Sequence, residues 1–262
     1  MNDQRESGGM NDYEPILKTE GLSKTFGGLQ AVWQVDFEIF EGQIIALIGP
    51  NGAGKTTFFN LLSGTLTPST GKLYFKGHDI TKLPVHKRTA LGLSRTFQKT
   101  SLFPELTVFE NLRLGSQNGY GRKNACWGDA YGDRKVTEIT NELLAMVGFE
   151  DKAQAITSNL SHGDQRLLEI LLGLSTKPDL LLLDEPAAGL SVKETHQMIR
   201  QIKELSQDAI STVIIVEHDM EVVTELASSI YVLHQGQVLC KGSVEQVQCD
   251  PQVQDVYFGR AT

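Results

Sequence analysis

The eight residues GPNGAGKT at positions 49–56 lie between an apolar run, QIIALIG, and the helically spaced KTTFFNLLSG. Few short stretches restrict a fold so tightly. The spacing GxxxxGK[ST], after a strand and before a helix, is the arrangement with which a backbone cradles a polyphosphate. Gly49, Pro50, Asn51, Gly52, Ala53 and Gly54 make the loop. Its glycines let successive N–H groups converge on phosphate oxygens, and the helix behind adds the positive end of its dipole. Lys55 is placed to reach the outer phosphates and Thr56 to offer a hydroxyl to Mg²⁺, with Thr57 completing the phosphate-binding set. A glycine-rich turn that matches by chance is the alternative, and it does not account for the flanking strand and helix.

Strand, loop and helix in that order form the first unit of an α/β fold, and later segments repeat the alternation. LLLLD (180–184) reads as a buried strand, 191–205 as a helix opened by a Ser191 and Glu194 capping box, and STVIIVEHD as another strand. Alternation of this kind predicts a parallel sheet covered on both faces, with ligands at the carboxyl ends of its strands. The runs 16–22 and 31–39 are β-rich, and the second alternates apolar and polar residues, which predicts an antiparallel edge. Helical spacing at 108–114, behind a Thr107 and Glu110 capping box, and again at 135–146 marks residues 99–178 as a mainly helical subdomain inserted in the sheet domain. Between 115 and 133 the chain is glycine-rich and weakly patterned. The first fourteen residues read as a flexible tail without the apolar core of a signal peptide, leaving 15–262 as one domain.

Composition excludes several classes. With 24 basic against 32 acidic residues, the net charge of −8 repels nucleic acid and anionic lipid, and no basic patch opposes it. The longest apolar runs fall far short of the roughly 20 residues that span a bilayer. Cys126, Cys240 and Cys249 are odd in number and lack CxxC spacing, which fits a reducing compartment and neither a disulfide frame nor a zinc site.

Two acids close the LLLLDE segment. At the carboxyl edge of a strand beside the phosphate loop, Asp184 suits the shell of a magnesium ion and Glu185 suits a water aligned for attack on a γ-phosphate. Simple capping of the following PAAG turn is the rival explanation.

One further stretch, NLSHGDQRLLEI (159–170), sets a polar pentapeptide before an apolar helix. Ser161 can cap that helix near Gln165, with Asp164 three residues on to complete a capping box. A cap does not explain Gly163, which removes a side chain where a backbone N–H would approach an anion. Taken in order, GPNGAGKT, LSHGD, LLLLDE and VEHD resemble the ATP-binding cassette (ABC) ATPases over nearly the whole chain, from about Leu17 onward. The family pentapeptide usually reads LSGGQ; here His162 and Asp164 depart from it, while Ser161 and Gly163 remain.

That resemblance carries several expectations. The fold is a P-loop NTPase of the ABC type, with an antiparallel β edge and an inserted helical subdomain. Ser161 and Gly163 close on ATP held by a second ATPase subunit, identical or related, in a head-to-tail dimer. Gln98, in SRTFQ, matches the glutamine that contacts Mg²⁺ and the attacking water; His218, in VEHD, matches the switch histidine at the γ-phosphate; Phe26 matches the aromatic that stacks on adenine, although packing in the core would also explain it. His162 could titrate near neutral pH. Ser191 stands where many members have aspartate. FGGLQAV, SRTFQ, LSHGDQRLLEI, DEPAAGL and DVYFG are similar to the branched-chain (hydrophobic) amino acid uptake branch. Such systems pair two ATPases at the cytoplasmic face with two membrane permease subunits and a solute-binding protein. Urea uptake, lipopolysaccharide export and a soluble ABC ATPase such as an iron–sulfur assembly factor remain the alternatives.

Overall fold

The computed structural model describes residues 14–96, 102–120, 134–208 and 212–258. Nearly all of the expected tail, Gln98, Cys126 and most of the weakly patterned stretch lie outside the described residues.

In chain order the elements are β1 (Leu17–Phe26), β2 (Leu29–Ile39), β3 (Ile44–Ile48), α1 (Lys55–Ser63), β4 (Thr70–Phe75), β5 (His78–Asp79), α2 (Val85–Ala90) and β6 (Leu93–Arg95). There follow α3 (Val108–Tyr120), α4 (Arg134–Met146), α5 (His162–Leu174), β7 (Leu180–Asp184), α6 (Val192–Asp208), β8 (Val213–Val216) and α7 (Met220–Leu226). The chain closes with β9 (Ser229–His234), β10 (Gln237–Gly242), α8 (Val244–Cys249) and α9 (Pro251–Phe258).

The described strands form two sheets. One is antiparallel, in the order β2-β1-β4-β5; the other runs β10-β9-β3-β8-β7-β6, parallel throughout except for β10. This is the α/β architecture with an antiparallel edge that the sequence led us to expect. The unbroken apolar strands follow from burial on both faces. In β7, Leu181 and Leu183 point into a core shared with α3 to α7, while Leu180 and Leu182 point into a second core shared with α1 and the antiparallel sheet. Val213 and Ile215 of β8 join the first core and Ile214 and Val216 the second. A side chain on either face has no water to turn to, so a Leu→Ala change in these strands costs about 2–5 kcal/mol.

Helices α3 to α5 lie between β6 and β7 in the chain, where a helical segment was expected. Thr107 and Glu110 form their reciprocal cap, with Thr107 N–H donating to Glu110 Oε2 (2.9 Å) and Glu110 N–H to Thr107 Oγ1 (3.1 Å). Helix α3 runs six residues past the expected end at 114, and α5 begins at His162 instead of near Gln165. The cap of α5 also differs from expectation. Asp164 N–H donates to Ser161 Oγ (3.1 Å), but the Asp164 carboxylate turns to Lys152 Nζ (2.7 Å), so only half of a capping box forms. An ion pair with a neighbouring lysine wins over the return bond to the Ser161 backbone.

Candidate functional site

Three parallel strands deliver the chemistry to one edge. Leu47 of β3 pairs with Val216 of β8, and Val216 also pairs with Asp184 of β7, so the phosphate loop, Glu185 and His218 all leave the sheet at adjacent carboxyl ends. There they line a cleft of about 510 Å³ that takes in residues 51–57, Glu185, His218, Leu29, Gln30, Ala31, Gln235 and Gly236. Gly54 ends the loop as the N-cap of α1 at φ 99°, where a Cβ would run into the Ala31 carbonyl. Only glycine meets both demands. Behind the loop, Gly236 N–H donates to Ala53 O (2.9 Å), which fastens it to the β9–β10 turn.

Lys55 is buried, and its ammonium donates to Gly49 O (2.6 Å) and Pro50 O (3.1 Å), curling over its own loop. Burial lowers its pKa, partly opposed by the Glu185 charge. A bound polyphosphate would offset that cost with opposite charge. Thr56, one residue into α1, faces the same cleft.

Glu185 occupies the left-handed region at φ 48°, uncommon for a residue with a Cβ. The bend turns its carboxylate to His218, whose Nε2 lies 2.7 Å from Oε1. Buried Glu217, one residue before, ties the two loops together: its carboxylate accepts from Ala187 N–H (3.0 Å) and His218 N–H (3.1 Å). Burial pushes its carboxyl above the usual range despite those bonds.

Asp184 is 1% exposed and does not line the cleft directly. Its Oδ2 accepts from Arg95 Nη2 (2.8 Å), and burial raises its carboxyl pKa against the pull of that arginine. Oδ1 is buried with no hydrogen-bond partner among the described residues. A lone carboxylate oxygen of this kind suits a hard cation that takes oxygen ligands, so the residues present fit Mg²⁺.

Not all expected site residues come together. Phe26 does not line the cleft; it is half exposed, with Lys24 Nζ 5.2 Å from its ring centroid, and exposed Leu29 stands at the rim instead. Ser161 and Gly163 do not line it either. They form the N-terminal tip of α5, where Gly163 lies against the Glu194 side chain. Gln98 lies outside the described residues. Sequence reasoning gave no role to Arg95, Glu217 or the Gln235–Gly236 turn, although Arg95 stands inside SRTFQ and Glu217 inside VEHD.

Known proteins match this geometry. A family model described as ABC transporter matches residues 32–188. The high-affinity branched-chain amino acid transport ATP-binding protein LivG of Escherichia coli (strain K12) is 39% identical over 253 residues, 95% of this chain and 99% of that protein. A crystal structure of a nucleotide-free ATP-binding cassette from an ABC transporter superposes with a TM-score of 0.83 at 30% identity, covering 93% of this chain and 99% of that one. The dimeric post-hydrolysis structure of the ATP-binding cassette MJ0796, bound to ADP and Pi, superposes at 0.72 and 26% identity over 87% of this chain and 98% of its own.

Proposed function

Because the chain belongs to the ABC transporter ATP-binding family, we propose that the cleft at the ends of β3, β7 and β8 hydrolyses ATP to power the uptake of branched-chain amino acids. The observation that carries the reading is the meeting of Lys55, Thr56, Glu185 and His218 in one cleft, with Glu185 and His218 2.7 Å apart. Lys55 and the loop N–H groups hold the β- and γ-phosphates. Glu185 accepts a hydrogen bond from a water, whose oxygen bonds to the γ-phosphorus as the bond to the bridging ADP oxygen breaks. The proton passes toward the carboxylate, and His218 keeps that carboxylate aimed. Thr56, Asp184 and Gln98 would hold Mg²⁺, which neutralises phosphate charge when bound.

Ser161 and Gly163 are displayed away from their own cleft, which supports a role on the nucleotide of a second ATPase subunit in a head-to-tail pair. ATP then draws two chains shut, and its hydrolysis releases them. No helix among the described residues is long and apolar enough to cross a membrane. Contact with the two permease subunits, peripheral and on the cytoplasmic face, falls to a groove of about 320 Å³ bordered by Val85, Leu93, Phe103, Leu114 and Leu172. Arg95 also borders it, so the salt bridge to Asp184 runs from the groove to the residue before Glu185. The amino acid and its solute-binding protein do not touch this chain.

The test is a Glu185→Gln chain expressed with its membrane partners. ATP binding should persist while turnover and leucine uptake fall by on the order of 10²-fold or more. Unchanged turnover removes Glu185 from the chemistry, and intact leucine uptake without the chain removes the transport role.

A further inference from the structure

Arg166 lies one turn into α5, three residues past Gly163, and is not among the residues lining the ATP cleft. Its guanidinium crosses to the loop after β7 and grips three successive carbonyls. Nη2 donates to Asp184 O (3.0 Å) and Glu185 O (2.6 Å), and Nε donates to Pro186 O (3.2 Å). The remaining edge, through Nη1, donates to the Glu169 carboxylate at 2.8 Å, and the two side chains are only 17% and 7% exposed. Four bonds fix the plane of a group that carries five donors and no acceptor.

The middle of those carbonyls belongs to the residue whose backbone is strained. A left-handed conformation with a Cβ costs roughly 1–2 kcal/mol and persists only where its surroundings hold it. Glu185 is held at both ends: its N–H donates to Val216 O of β8 (2.9 Å), and its carbonyl accepts from Arg166 (2.6 Å) and from Ala188 N–H in the following turn (3.1 Å). The sheet supplies one anchor, and α5 and the turn share the other.

We propose that Arg166 is a positioning residue for ATP hydrolysis, coupling the tip of α5, where Ser161 and Gly163 meet a partner's nucleotide, to the backbone that aims the Glu185 carboxylate. This rests on the reading that Glu185 aligns the attacking water. A shift of α5 on closure moves the guanidinium, and the guanidinium moves the carbonyls of residues 184–186. Lysine cannot replace it, because a tetrahedral ammonium does not offer a planar fork to three carbonyls and a carboxylate at once. Glu169 acts one step behind, holding the guanidinium flat.

The experiment compares full-length Arg166→Lys, Arg166→Gln and Glu169→Gln with wild type. It reads kcat and KM for ATP, nucleotide affinity of the single subunit, melting temperature, and ATP-driven pairing in a Glu185→Gln background. Displacement of a reacting group by about an ångström costs on the order of 10²-fold in rate. Both Arg166 variants should therefore lose about 10- to 100-fold in kcat, with KM and single-subunit affinity within about twofold and pairing retained. Glu169→Gln should lose less, in the same parameter. The inference is overturned if kcat holds, if Lys restores it, or if kcat falls only in proportion to lost pairing or nucleotide affinity. Should the Arg166 variants fail to fold, Glu169→Gln decides alone, and an unchanged kcat there overturns the inference. A Glu185→Gln control that still turns over would instead refute the reading of Glu185, whereas an inactive control beside fully active Arg166 variants refutes only the coupling.

Discussion

Gly163 and Glu194 meet across two helices: the tip of α5 packs against a carboxylate from the first turn of α6. A Cβ built on Gly163 would stand 3.2 Å from Glu194 Oε1 and 3.3 Å from its Cγ. The same carboxylate accepts from Ser191 N–H (2.9 Å) and Ser191 Oγ (2.6 Å), which hold its pKa below the ordinary 4.5 and keep it anionic at neutral pH. A partner's γ-phosphate arriving at Gly163 therefore meets a negative charge already beside it. Glu194→Gln keeps the reciprocal cap but gives up the charge, and is expected to lower the ATP concentration at which a Glu185→Gln chain pairs, by several-fold. Light scattering across an ATP titration measures this; an unchanged or raised midpoint counts against a role for that charge.

Glu217 yields a pH signature. Its carboxyl lies above the ordinary 4.5 because burial outweighs its N–H donors. A raised carboxyl means that the folded state holds its proton longer than the unfolded chain. Stability contributed here is thus lost as pH rises from the unfolded value through the folded one. Glu217→Gln removes this dependence, so its melting profile should be flatter than that of wild type across that window. A difference between the two proteins that does not change with pH would contradict the assignment.

Asp184 gives a second pH effect, on cation binding. Burial raises its carboxyl, and a cation requires the ionised form. Proton and Mg²⁺ therefore compete for the orphaned Oδ1. The Mg²⁺ concentration for half-maximal hydrolysis should rise as pH falls from about 7.5 to about 5, and Asp184→Asn should raise it about tenfold at neutral pH. Hydrolysis assays over a Mg²⁺ series test both, and a midpoint indifferent to the substitution would take Asp184 out of the cation's shell.

What could be read in advance follows physical locality. The phosphate loop is legible because its requirements are met by consecutive residues: an apolar strand, glycines at 49 and 54 where a Cβ would strike Leu233 and Ala31, and a helix to follow. The acids of 184–185 were legible because a strand end places them without further help. Phe26 enters through the resemblance alone, and the hairpin turn at Gly27–Gly28 sets Leu29, three residues on, at the rim of the cleft. Asp164 was assigned to a cap on spacing alone, and spacing does not register Lys152 arriving from twelve residues upstream. Arg166 and Arg95 stand inside LSHGDQRLLEI and SRTFQ, yet nothing in those stretches tells what either side chain meets. Both act on groups that only tertiary packing brings within reach, Arg166 on backbone carbonyls that any residue would present.

Arg88 belongs to the same class and gives a stability test. It is 1% exposed, yet it lies outside the ATP cleft. Its Nη1 donates to Leu61 O (2.6 Å) and Leu62 O (2.7 Å), carbonyls of the last turn of α1, while Nε donates to Leu83 O (2.8 Å) and Nη2 to Thr81 O (3.2 Å). Burial lowers its pKa to about 10, so it remains charged at neutral pH. No carboxylate pairs with it among those bonds; the negative end of the α1 dipole and four carbonyls take that part. Arg88→Ala leaves a cavity and deprives those carbonyls of their donor, at a cost of about 3–5 kcal/mol. At roughly 2–4 °C per kcal/mol for a chain of this size, the melting temperature should fall by about 6–20 °C. Arg88→Lys should recover only part of that loss, since one ammonium cannot reach both the α1 end and the Leu83 and Thr81 carbonyls. Because α1 begins at Lys55, a loosened far end should also weaken ATP binding near the melting range, and less so well below it. Melting curves with and without ATP check this; an Arg88→Ala protein that melts with wild type would mean that water satisfies those carbonyls.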